Sequence, residues 1–308
     1  MSGPHLLMSL DFSTLPYYLA AGLCLGAIYA LVALGYSMVY GIIKLINFAH
    51  GEFYMAGAYA GLGIYMLLPA WMPLLLAAVV TLLVSGLAGA GVAAATEYVA
   101  YRPIRSAGRL SALLTAIGVS LLLQNVATFI DGGKSLTFHG PLREMATLSV
   151  MGIETIKFAY IPVSCALTLL LWYVVKYTRL GKAMRATSQD LDAAVLMGIN
   201  TDSVIRRTFI LGGFLAGVAG TLVGVLRVVE PMMGFMPGLN AFVAAVVGGI
   251  GSIQGAFVGG YVIGVVRHVA LWGGVPSEYA DVATLLVLIV MLVFRPQGIF
   301  GRPDIEKV

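Results

Sequence analysis

Runs of about 20 predominantly apolar residues recur along this chain with only short polar stretches between them, and a helix of that length is what crosses the hydrocarbon of a bilayer. Candidate spans fall at 15–40, 50–68, 73–99, 110–130, 158–177, 207–229, 252–272 and 281–295. The stretch 240–251 is also apolar, but it is short and glycine-rich, so it reads either as a half-helix or as a ninth pass. Composition points the same way: 60% of the 308 residues are hydrophobic and 10% charged, against roughly 25% charged in soluble domains. The expected fold is all-α, a polytopic transmembrane bundle of about 8–9 spanning segments forming a single domain over residues 1–308.

The basic residues decide how such a bundle sits, because Lys and Arg beside the spans are retained on the cytoplasmic side. Lys44, Arg102, Arg105, Arg109, Lys176, Arg179, Lys182, Arg185, Arg206, Arg207, Arg295, Arg302 and Lys307 fall on one side of the predicted bundle. Lys134, Arg143, Lys157, Arg227 and Arg267 fall on the other. The N-terminus is therefore expected outside and the C-terminus inside, which requires an odd number of crossings. Residues 131–157 become an outer loop of mixed charge and 178–206 an inner loop. The formal charge of +4 is spread between apolar runs with no basic face, so no nucleic-acid partner is expected. Cys24 and Cys165 each stand alone in an apolar segment, which indicates neither a disulfide nor a metal site. Residues 1–14 carry no Lys or Arg ahead of the first apolar run, so that run is expected to stay as a helix rather than be cleaved.

Glycines spaced by four, among them Gly22/Gly26, Gly57/Gly61, Gly213/Gly217, Gly220/Gly224 and Gly260/Gly264, allow close helix approach in lipid and suit a bundle that slides between two arrangements. Two segments break the apolar pattern. In 43–57, Lys44, Asn47, His50 and Glu52 form either a short turn with Asn47 capping the next helix, or a broken helix whose polar groups line a pathway. In 230–240, Glu230, Pro231, Gly234, Pro237, Gly238 and Asn240 break it again, and paired interruptions of this kind point to a transport site within an inverted repeat. Gln124 and Asn125 inside a span suit helix-to-helix hydrogen bonds. Arg227, Glu230, Arg267 and His268 near outer helix ends make either a charged rim or side chains reaching for headgroups.

Catalytic signatures are missing. Gly133, Lys134 and Ser135 resemble the end of a P-loop, but Thr128 stands where its first glycine belongs. His50 and Glu52 form H-x-E without the P-C-x-x-C partner of zinc deaminases. With no H-E-x-x-H or G-x-S-x-G either, no enzyme activity, cofactor or metal is expected.

In the inner loop, Leu191, Ala194, Val195, Gly198 and Ile199 recur at helical spacing and give a short helix one apolar stripe, which either rests on the bundle or docks into a groove of a soluble partner. Asp192-Ala193-Ala194, followed after three residues by Gly198-Ile199, resembles the loop by which ABC importer permeases contact their ATPases. The segments 35–59 (GYSMVYGIIKLINFAHGEFYMAGAY), 100–106 (AYRPIRS), 197–202 (MGINTD), 244–256 and the tail 298–308 are similar to LivH-type permeases of the branched-chain amino acid ABC importer family, and the resemblance covers nearly the whole chain. The outer loop 131–157 departs most, and Asp192 stands where the motif usually has Glu.

This resemblance implies a bacterial inner-membrane permease subunit that translocates Leu, Ile or Val. It implies a second related permease, two ATP-binding subunits and a periplasmic substrate-binding protein as partners, in addition to membrane lipid. Arg185, Asp190, Asp192, Ala193, Ala194, Gly198, Ile199 and Asn200 would form the ATPase-coupling loop, and Asn47, His50, Glu52 and Asn240 the substrate pathway. Importers of urea and short-chain amides are similar around 47–52, and an ion-coupled secondary transporter using Glu52 or Glu230 is the rival reading.

Overall fold

The computed structural model describes residues 11–301 except 106 and 151. The start of the N-terminal stretch, Arg302, Lys307 and most of the tail lie outside the described residues. Among the described residues seven helices are long and apolar enough to span a membrane. Five of them are α1 (Leu15–Ile43), α4 (Arg109–Asp131), α6 (Thr155–Tyr177), α9 (Thr201–Gly224) and α11 (Ile253–Trp272). The others are α3 (Leu74–Thr96), prolonged by a π turn and a 3₁₀ turn to Ile104, and α12 (Ala280–Phe294) with the short 3₁₀ turn before it. Beside them run α2 (His50–Leu67), expected as a span at 50–68 but not among those seven, and the short α10 (Phe235–Gly248). Small helices α5 (Pro141–Thr147), α7 (Arg179–Gln189) and α8 (Leu191–Leu196) fill the two long loops. A ladder of two residues per strand, Ser149–Val150 with Ile153–Glu154, completes the loop that holds α5.

The core is built on glycine contacts that let backbones meet. A methyl added at Gly26 would lie 2.7 Å from the Tyr261 Cα of α11, and one at Gly22 would lie 2.9 Å from the Val265 Cα. A methyl at Gly220 would overlap the Tyr54 carbonyl of α2, and Gly89 of α3 meets Gly213 and Gly217 of α9. Helices α1 and α9 are therefore the buried posts, each 72% buried along its apolar window, whereas α4 and α12 keep 17% and 11%. In lipid, such close approach replaces the hydrophobic drive that water would supply.

Two places interrupt the helices. After Lys44, which sits in the left-handed region at φ 53°, residues 44–49 run back into the bundle. His50 at the start of α2 accordingly packs against Gly35, about 12 Å from the end of α1 at 1.5 Å per residue. The chain after α9 is likewise unwound, and α10 begins at the same depth, where Gly234 and Gly238 press on Gly51. The stretch 240–251 is thus the end of a short helix plus a turn, not an independent span. Together, residues 225–248 run from the end of α9 to the end of α1, where Gly251 donates to the Ser37 hydroxyl at 2.7 Å. The chain past α12 closes onto the same place: Ile299 and Phe300 donate their amides to the Val247 and Gly248 carbonyls at 2.9 Å each.

The inner loop differs in detail from a single striped helix. Asp190 ends α7 and caps α8 by accepting from the Ala193 amide at 2.9 Å. Gly198, at φ 79°, stops α8 in a conformation that glycine adopts readily, so Gly198 and Ile199 lie outside the helix. Asn200 then caps α9 through the Ser203 amide at 2.9 Å, which starts that helix six residues before the predicted 207. Asn47 does not cap α2, whose N-cap residue is Ala49. Its side chain instead accepts from the Ala49 amide two residues on.

Candidate functional site

At the end of the bundle where α1 begins and α9 finishes, a cavity of about 570 Å³ opens between α1, α2, α6, α9, α10, α11 and α12. One wall is apolar, formed by Leu25, Ile28, Leu226, Met233 and Met236. The polar lining carries a hydrogen-bonded network. Asp281 accepts from Arg267 Nε at 2.9 Å and from Asn240 Nδ2 at 3.0 Å. Asn240 also donates to the Tyr29 hydroxyl at 3.2 Å and accepts from Thr284 Oγ1 at 3.0 Å. At the rim, Lys157 pairs with Glu154 at 2.6 Å. Partial burial opposes ionisation of Glu154, but the Lys157 ammonium, with a backbone hydrogen bond and the Arg227 charge, outweighs it and holds the carboxyl below its usual range. All four residues singled out near the outer ends, Arg227, Glu230, Arg267 and His268, face this cavity.

Of the four predicted pathway residues, only Asn240 lines the cavity. Asn47, His50 and Glu52 are buried deeper. His50 sits between Gly35 and Gly212, its ring 4.7 Å from that of Tyr36, and it faces the Val32 carbonyl without reaching hydrogen-bond geometry. Asn47 accepts from the Tyr101 hydroxyl at 2.7 Å and leaves its own Nδ2 unpartnered. Glu52 turns the other way, toward α4, where Ser120 and Gln124 each donate to Oε1 at 2.8 Å. Gln124 therefore bonds between helices, while Asn125 bonds to its own helix at the Leu121 carbonyl. The two interrupted segments paired in the sequence meet here, where the Phe242 ring packs edge-on to Tyr36 and tilted against Phe48.

At the opposite end, α7 and α8 lie beside the start of α9. Arg185 donates to the Val175 carbonyl and so ties α7 back to α6. Ala194 is buried, Leu196 is 87% exposed and Met197 81%. An ion-pair lattice that the residue pattern did not single out ties α3 to α9. Glu97, fully buried, accepts from Arg105 and from Arg206 Nε at 3.3 Å, while Asp202 accepts from Arg105 at 2.5 Å and Arg102 at 2.7 Å. In the sequence its only trace is a lone acid closing an apolar run, with Arg102 and Arg105 following within eight residues.

Apolar crossing helices, two broken segments meeting in the interior and a part-polar cavity open at one end define a multi-pass membrane permease. Residues 18–292 match the family model described as "Branched-chain amino acid transport system / permease component". The chain is 42% identical over 298 residues to the high-affinity branched-chain amino acid transport system permease protein LivH of Salmonella typhimurium, covering 93% of this chain and 96% of that protein. It is 42% identical over 301 residues to LivH of Escherichia coli K12, covering the same shares, and 39% identical over 304 residues to BraD of Pseudomonas aeruginosa, covering 94% and 97%. The chain belongs to this permease family.

Proposed function

We propose that this chain is the permease subunit through which an ABC importer passes Leu, Ile or Val across a bacterial inner membrane. Its N-terminus is periplasmic and its C-terminus cytoplasmic, in keeping with the basic residues gathered at the α7–α8 end. A second related permease completes the membrane part, two ATP-binding subunits supply the energy and a periplasmic binding protein delivers substrate to the cavity.

The observation that carries this reading is the α7–α8 pair. It presents Leu196 and Met197 outward at the basic end, fixed by three side-chain caps from Thr178, Asp190 and Asn200. A surface that is apolar, exposed and rigid suits docking into a groove on a soluble partner. It continues directly into α9, whose 24 residues extend about 36 Å to the segment bounding the cavity. Closure of the ATPases pulls on 179–200, α9 shifts along its glycine contacts, and the cavity exchanges its opening for one at the other end. Asn240 meets the substrate inside the cavity, and Asn47 and His50 beyond it offer the polar groups of the next stage. Glu52, directed at α4, is the weakest member of the pathway set.

Replacing Asp192 and Gly198 together by Ala should lower both uptake and substrate-stimulated ATP hydrolysis by about ten-fold or more while the protein stays inserted. Uptake at the parental rate would remove the coupling role.

A further inference from the structure

Between α9 and α10, the unwound segment carries a cation and an anion three residues apart, Arg227 and Glu230, both lining the cavity. Among the described residues neither side chain has a hydrogen bond or an ion pair, whereas the other cavity charges Arg267, Asp281 and Lys157 are all paired. Their backbone is nonetheless held firmly. Val229 exchanges both of its backbone hydrogen bonds with Leu136, at 2.7 and 2.9 Å, and Arg143 donates to the Val225 carbonyl at 3.1 Å. Both side chains are exposed at the mouth of the cavity, and a fixed loop that presents two opposite charges free of protein partners beside apolar lining has the shape of a receptor for a molecule with the complementary pattern.

We propose that Arg227 and Glu230 are the subsites for the two charged ends of a zwitterionic aliphatic α-amino acid. The guanidinium takes the carboxylate through paired N–H donors, Glu230 takes the ammonium, and Leu25, Ile28, Leu226 and Met233 receive the side chain. A neutral amide or urea would leave both charges unmet as the cavity closes over it, which costs more than it gains. This assignment rests on the amino-acid importer reading but needs no part of the coupling argument.

The test uses the full-length chain in lipid nanodiscs with Cys24 and Cys165 replaced by Ala and Met232→Cys introduced at the cavity edge. Leucine should slow labelling of the introduced thiol by a bulky maleimide, whereas 4-methylpentanamide and urea at the same concentration should not. Arg227→Gln and Glu230→Gln should each raise the leucine concentration for half-protection by about ten-fold or more. Equal labelling of each variant without leucine shows that its cavity is intact. Protection unchanged in both variants, or given equally by the amide, overturns the assignment, as does loss of binding-protein docking alone. Leucine uptake by the intact transporter is measured alongside. Its absence sinks the importer reading itself, whereas normal uptake with no leucine protection sinks only the subsites.

Discussion

Glu97 has no solvent-exposed side-chain surface, and both of its oxygens are taken by arginines from separate parts of the chain. Removing its charge strands Arg105 and Arg206 around a buried neutral group, a change that costs about 3 kcal/mol at most, because those arginines keep 21% and 39% exposure. Asp202 is 42% exposed, so its loss is expected to cost less than about 1 kcal/mol. Thermal melting in detergent should therefore fall clearly for Glu97→Gln and little for Asp202→Asn. Coincident melting of the two variants would show that burial is not what makes the first one matter. In the sequence, Glu97 is one acid at the end of an apolar run, and nothing local tells that the π turn after Thr96 and the distant Arg206 enclose it. Arg227 and Glu230 were visible as charges near helix ends. Their pairing state was not, since it depends on which other residues the fold brings near.

Helix α9 shows how little glycine counting alone decides. Gly220 and Gly91 are both helix-interior glycines, yet a methyl on the first overlaps the backbone of α2 while one on the second meets nothing. Gly220→Ala should destabilise the protein by about 1–3 kcal/mol through forced separation of α2 and α9. Gly91→Ala should stabilise α3 by about 0.5–1 kcal/mol by restricting the unfolded chain. Opposite shifts in melting temperature are the expected result, and shifts of the same sign would refute the packing picture. Span positions were readable from hydropathy because apolar length is itself the physical requirement. Boundaries failed where capping overrode it: Asn200 starts α9 ahead of the polar 201–207, and Gly198, with Ile199 beyond it, falls outside the helix that their spacing joined to Leu191. The short α10 was ambiguous because an interrupted segment has no length rule of its own.

Across the whole molecule, the described basic residues from Lys44 to Arg295 that were expected on one side do lie at the α7–α8 end, and the cavity opens at the other. In intact spheroplasts, an impermeant maleimide should reach Met232→Cys, at a site 64% exposed, but should reach Leu196→Cys only after permeabilisation. The reverse pattern would invert the proposed orientation. The strand-like clasp of Ile299 and Phe300 on the last carbonyls of α10 carries a mechanical implication. Because α10 is too short to anchor itself in lipid, its foot is moored by polypeptide that follows the final crossing, and any tilt that reshapes the chamber above must drag that mooring along. Any such rearrangement would thereby reach the end of the bundle where α7 and α8 lie by a route separate from α9.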